Sequence, residues 1–225
     1  KIVWPACLRT TTTTGTNTTA PTVRSLLNNY SHMNFLFLDA DGVLLKKVEY
    51  FSARFAREQA IPEESVTAFF RNEFKLCQEG KADLKNEVQK YLEEWKWVGT
   101  VDHFLEHWFS SDVNVNIQLG PDIMTLRKRG VRCYLVSNQE KYRADYVRKE
   151  LAQYSLVDGY FFSYEIGHRK SNPAFFGTVL REVTAQPGEV TYIDNDQASV
   201  DAAKACGINA VLYDDTLLQR LIDTP

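Results

Sequence analysis

Cysteine is scarce and scattered: four residues (Cys7, Cys77, Cys133, Cys206) and no C-x-x-C pair. That excludes a disulfide frame and a cysteine-based zinc site, and isolated thiols fit a reducing, cytoplasmic setting. No run reaches the roughly 18 apolar residues of a membrane span, so no membrane partner is expected. Basic blocks and stripes are also missing. With 26 Lys and Arg against 29 Asp and Glu, the formal charge of −3 offers no nucleic-acid footprint. What remains is a 225-residue chain, 44% hydrophobic, able to bury a core.

Acidic residues are wholly absent from positions 1–32, which hold nine threonines and three basic residues. The run Thr10–Thr14 has no apolar periodicity and builds no packed element. This leader is expected to be a tag or a disordered segment foreign to the fold. A transit peptide is a rival reading, thinly supported by two arginines. Without it, 193 residues remain, with 23 basic and 29 acidic side chains.

From Met33 on, short apolar runs end in polar residues. Strands are predicted at 34–38, 131–136, 159–162, 190–193 and 210–213; Asp39, Ser137 and Asp194 stand at or just past three of their carboxyl ends. Helices are predicted from Pro121 to Gly130, from near Pro173, and from about Gln197 to Gly207. This alternation predicts an α/β fold, a doubly wound, Rossmann-like and mostly parallel sheet formed by 33–45 and 113–225. Ligands bind such sheets at the carboxyl ends of the strands.

Residues 46–112 differ in texture. Leu84, Val88, Tyr91, Leu92 and Trp95 keep helical spacing, as do Val101, Phe104, Leu105, Trp108 and Phe109, and earlier Val66, Phe69, Phe70 and Phe74. An inserted all-helical unit of about four helices is expected, its aromatic stripes being core.

Four patches carry chemistry. Asp39-Ala40-Asp41-Gly42 places two carboxylates past a buried strand, one suited to nucleophilic attack and one to proton transfer. A calcium loop is excluded, because Leu44 and Tyr50 stand where its glycine and final acid belong. Ser137-Asn138 offers a hydroxyl and an amide for phosphate oxygens. Lys170, just before a helix, offers a cation, and Asp194-Asn195-Asp196 is an oxygen-rich patch suited to Mg²⁺.

Together these ordered patches, 98, 33 and 24 residues apart, resemble the four motifs of the haloacid dehalogenase-like hydrolase superfamily. The run Val200–Gly207 resembles the helix after its fourth motif, and the helical insert sits where one subgroup carries a cap. The resemblance implies a Mg²⁺-dependent phosphomonoester hydrolase acting on a small phosphorylated metabolite, with sugar phosphates the leading class. In it, Asp39 is the nucleophile and Asp41 the acid and base. Ser137, Asn138 and Lys170 hold the transferred group. Asp39, the Asp41 carbonyl, Asp194 and Asn195 hold the metal. Asp41, which true dehalogenases of the family lack, argues against dehalogenation. A phosphomutase is the alternative enzyme.

The fourth motif departs from the pattern. Asn195 replaces a usual acid, and Ser199 stands where Asn or Asp is common, so weaker Mg²⁺ binding is expected, partly rescued by Asp196. A catalytically weakened phosphate-binding protein is the alternative that follows. The loop around Gln78-Glu79-Gly80-Lys81 is the expected substrate-selecting segment. His103, Glu106 and His107 match an H-x-x-E-H zinc pattern, but they flank an apolar helix face and are read as solvated surface. The sequence does not fix oligomeric state.

Overall fold

The computed structural model describes residues 33–46 and 48–223. The expectation for the threonine-rich leader lies outside them. Among the described residues, β1 (Phe35–Leu38), β2 (Arg132–Ser137), β3 (Gly159–Phe162), β4 (Val190–Asp194) and β5 (Asn209–Leu212) form one sheet, ordered β3-β2-β1-β4-β5. Every pairing is parallel. The α/β class and the parallel sheet read from the apolar runs are therefore present.

Strand β1 is central, and its four residues are all buried, which is why it reads as an unbroken apolar run. Leu38 is level with Leu135 on one side and Ile193 on the other. The chain builds outward from β1 through β2 to β3, then crosses back to lay β4 on the opposite side. The order reverses at β1, the position beside whose carboxyl end sheets of this kind bind ligands.

Between β1 and β2 lie α1 (Phe51–Gln59), α2 (Glu63–Arg71), α3 (Glu73–Gln78), α4 (Leu84–Gln89) and α5 (Val101–Asp112). Their inward faces, with Trp95 from the turn that follows α4, form one aromatic cluster, including Phe51, Phe55, Phe69, Phe104 and Trp108. Five helical segments replace the four expected, because Asn72 breaks the chain between α2 and α3 at φ −118°, ψ −89°. The 84–95 stripe is not one helix either. After Gln89 the backbone tightens into three-residue hydrogen bonds, Lys90 N to Glu87 O and Tyr91 N to Val88 O, and still turns Leu92 and Trp95 inward.

The sheet is covered on both faces. Leu36 and Leu38 pack with α6 (Gly120–Lys128), α7 (Lys141–Ala152) and α11 (Leu217–Asp223), while Phe35 and Phe37 face α9 (Pro173–Val183) and α10 (Gln197–Ala205). A short α8 (Ser163–Ile166) follows β3. Burial of each such side chain contributes about 1.5–3 kcal/mol. The sequence patterns do not predict helix α7. Glu140 caps it, accepting from Tyr142 N and Arg143 N. No described helix is long and apolar enough to cross a membrane.

Candidate active site

Asp39 leaves the sheet one residue past β1, with its amide N–H still donating to Ile193 O at 3.0 Å. The chain then folds tightly: Val43 N and Leu45 N return to Ala40 O, and Gly42 N donates to Leu45 O at 2.7 Å. Gly42 takes φ +89°, and a side chain there would run into Asn195 Nδ2. Glycine is thus required twice over, by backbone conformation and by the approach of the fourth motif.

A buried charge cluster sits at the centre. Lys170 Nζ is 2.5 Å from Asp39 Oδ1 and 2.7 Å from Asp194 Oδ2. All three side chains are nearly sealed from solvent. Burial pushes the Asp39 carboxyl up to about 7, reinforced by Asp194 and Asp41 and opposed by Lys170. Burial acts in the same sense on Asp194, but Lys170 and hydrogen bonds from Tyr192 OH and Asp196 N outweigh it, holding that carboxyl low. Burial alone would lower the Lys170 ammonium; the two carboxylates raise it instead.

Lys170 is placed from two sides. Its backbone N–H donates to Asn138 Oδ1 at 2.8 Å, and its side chain passes the Tyr192 ring. The Asn138 amide, read as a phosphate contact, is therefore tied through its oxygen to the Lys170 backbone, joining the second motif to the third. Ser137, buried at the end of β2, accepts at Oγ from Gln139 Nε2 at 3.1 Å.

Asp41 faces a different set of partners. Arg143 on α7 grips its carboxylate with both terminal nitrogens, at 2.8 and 2.6 Å, and Gln139 Nε2 adds a third bond at 2.8 Å. Arg143 Nη1 also donates to Gln139 Oε1 at 2.7 Å. Sequence reasoning missed Gln139, Arg143 and Tyr192. A signal for Arg143 was present: it lies on the stripe Arg143, Ala144, Val147, Leu151, where an arginine among apolar residues demands a buried partner.

The fourth motif is partly as expected. Asp194 Oδ1 accepts from Asp196 N, and Oδ2 accepts from Lys170 and Tyr192 OH. Asp196 Oδ2 caps α10, accepting from Ser199 N at 3.1 Å and Ser199 Oγ at 2.7 Å.

The donors available to a divalent cation are all oxygens: the Asp39 and Asp194 carboxylates, the Asn195 amide and the Asp41 carbonyl. This set suits Mg²⁺. Asp39 is buried, with Oδ1 held against the Lys170 ammonium at 2.5 Å. Among the described residues no group of three or more His, Cys, Asp or Glu side chains converges on one point. His107 Nε2 meets Glu58 at 2.8 Å, and its half-buried ring lies 5.4 Å from Trp97 against the aromatic cluster.

The helical unit touches the segments after β2 and β3. Gln78, at the end of α3, donates through Nε2 to Asn138 O at 3.0 Å. Gly80, at φ +68°, brings the next turn against the Tyr164 carbonyl, 2.5 Å from where a Cβ would stand.

Residues 33–207 match the model of the haloacid dehalogenase-like hydrolases. Two fungal proteins match at lower extent. A drimenol cyclase of Aspergillus calidoustus is 29% identical over 83 residues, 37% of this chain and 16% of that protein. A sesquiterpene phosphatase of Aspergillus oryzae is 28% identical over 92 residues, 41% of this chain and 47% of that protein. This chain thus spans less than half the length of either. Among solved structures, a HAD family enzyme of Bacteroides thetaiotaomicron aligns with TM-score 0.69 at 19% identity, over 83% of this chain and 98% of that one. The same enzyme is known with magnesium and inorganic phosphate bound. A HAD-like hydrolase of Porphyromonas gingivalis aligns with TM-score 0.70 at 20% identity, over 86% and 100%.

Proposed function

The chain belongs to the haloacid dehalogenase-like hydrolase family, and we propose that it is a Mg²⁺-dependent phosphomonoesterase for a small phosphorylated metabolite, working in a reducing cytoplasm. The observation that carries this reading is the buried Asp39–Lys170–Asp194 cluster with Asp41 two residues beyond the nucleophile.

An Asp39 oxygen attacks phosphorus, the bond from phosphorus to the alcohol oxygen breaks, and an aspartyl-phosphate forms. Asp41 gives a proton to the departing alkoxide. It then takes one from the water that attacks the same phosphorus, releasing inorganic phosphate and restoring Asp39. Ser137, the Asn138 amide nitrogen and Lys170 hold the phosphoryl oxygens, where positive charge and hydrogen-bond donors favour the transition state. Mg²⁺, held by Asp39, Asp194, the Asn195 amide and the Asp41 carbonyl, supplies the charge that offsets repulsion between carboxylate and phosphate. The helical cap shields the reacting groups from bulk water and selects the leaving group.

Phosphate release from an aryl phosphate, with and without Mg²⁺ and in Asp39→Asn, tests the reading. Mg²⁺-stimulated turnover that vanishes in the variant supports it; turnover unchanged by Asp39→Asn overturns it. A panel of sugar phosphates and phosphorylated sesquiterpenoids, the latter prompted by the Aspergillus oryzae relative, then ranks substrate classes.

A further inference from the structure

We propose that Arg143 is a positioning residue for the reaction: its guanidinium fixes the side chain of Asp41, and Gln139 links that pair to the hydroxyl of Ser137. The inference rests on the phosphomonoesterase reading, in which Asp41 moves the protons.

The backbone of Asp41 is already fixed by the turn that returns Val43 and Leu45 to Ala40 O. Its side chain is not, since it is about a third exposed. A carboxylate there has several staggered rotamers open to it unless something holds it. Arg143 does so from beneath, through a guanidinium only 5% exposed and aligned in a two-bond fork. Gln139 completes a ring: it accepts from Arg143, donates to Asp41, and donates to Ser137 Oγ. The residue that moves protons and the residue that holds phosphate are thereby set at a fixed separation.

The other acids near Arg143 are engaged elsewhere. Glu140, on the same helix start, has both oxygens on backbone N–H groups of Tyr142 and Arg143. Asp112, where α5 ends and the cap rejoins the core, accepts from Trp108 Nε1 at 2.9 Å. Burial would lower the Arg143 guanidinium, but the charges of Asp41, Asp112 and Glu140 raise it. Lysine would supply the charge but not the fork.

The test is a double-mutant cycle on kcat and KM with an aryl phosphate and Mg²⁺, using Arg143→Met, Asp41→Asn and the pair, with thermal melts of each. In the wild-type background, Arg143→Met should lower kcat roughly 10- to 100-fold with KM within about twofold, since it displaces the proton-transfer group rather than substrate. In the Asp41→Asn background the same change should move kcat by less than about twofold. Arg143→Lys should recover part of the loss. Equal effects in both backgrounds, or a rise in KM at unchanged kcat, overturn the inference. If Arg143→Met does not fold, Arg143→Lys and Gln139→Leu carry the same cycle, and the same two outcomes support or overturn it. Asp39→Asn, measured in parallel, reports on the phosphatase reading separately. Wild-type turnover lost in Asp39→Asn together with an additive cycle sinks the arginine inference alone; absence of wild-type turnover sinks both.

Discussion

Lys170 Nζ lies 2.5 Å from Asp39 Oδ1, in a contact where neither side chain is more than 8% exposed. The same ammonium serves Asp194, so one cation balances two buried carboxylates. Removing it leaves uncompensated charge in a low-dielectric site, which costs far more than the net worth of the pair. Lys170→Met should therefore lower stability by about 3–5 kcal/mol and abolish turnover. Urea melts and phosphate release check this, and the stability loss should shrink in acid, where the orphaned carboxylates protonate.

The pH dependence of stability near neutrality follows from buried carboxyls that burial raises, Asp39 and Glu140 and, in the same direction, Asp112. Burial raises Asp39 from 3.8 and Glu140 from 4.5, both to about 7. The folded protein therefore holds these protons more tightly than the unfolded chain. Their contribution is full below the ordinary carboxylate range and is lost as pH rises through about 7. Asp194 and Asp214 shift downward, so they titrate at more acid pH and are silent in this window. The metal-free protein should melt at progressively lower temperature between about pH 5 and pH 8, and Asp39→Asn should flatten the slope. Added Mg²⁺ should raise the melting temperature more at pH 8, because the metal binds the ionised carboxylate.

Much of this fold is legible in the chain. The runs ending at Asp39, Ser137 and Asp194 announce a buried parallel sheet, because strands covered on both faces cannot alternate with polar residues. The charge cluster is legible as residues but not as a geometry, since Lys170 reaches Asp39 only through the loop pinned by Asn138. Helix α7 stays hidden because its charged sequence, Lys141-Tyr142-Arg143-Ala144-Asp145, masks the short apolar stripe of Ala144, Val147 and Leu151. Asp196 reads as a spare ligand because a cap acceptor and a metal ligand call for the same residue type; in the fold its Oδ2 takes two hydrogen bonds from Ser199.

Asn195 offers the metal a neutral oxygen where a carboxylate would bring charge. Asn195→Asp should tighten Mg²⁺ binding on the order of tenfold, read by calorimetry or by the Mg²⁺ dependence of turnover. The neighbouring change should do the opposite. Gly42→Ala places a methyl group on the Asn195 side chain and forces a left-handed backbone on alanine, costing about 1–2 kcal/mol. Because the displaced atoms belong to the site, activity should fall well beyond what the loss in melting temperature accounts for.

Gln78 links the cap to the second motif through one hydrogen bond, Nε2 to the backbone carbonyl of Asn138 at 3.0 Å. That carbonyl belongs to the residue after Ser137, and the Asn138 side-chain oxygen in turn holds the Lys170 backbone. Gln78 is buried, so Gln78→Leu removes a donor without opening a large void, a net loss of about 0.5–1.5 kcal/mol. The cap core, built from α1–α5 aromatics, does not depend on this bond, so the melting temperature should fall by only a few degrees. What should change more is how closely the cap seats against the core. KM for a small phosphate ester should rise several-fold, by an amount within the reach of a single hydrogen bond. Steady-state kinetics on two esters of different leaving-group size check the assignment: a cap contact that shapes the leaving-group pocket shifts their ratio, whereas a contact that only stabilises the fold leaves the ratio fixed.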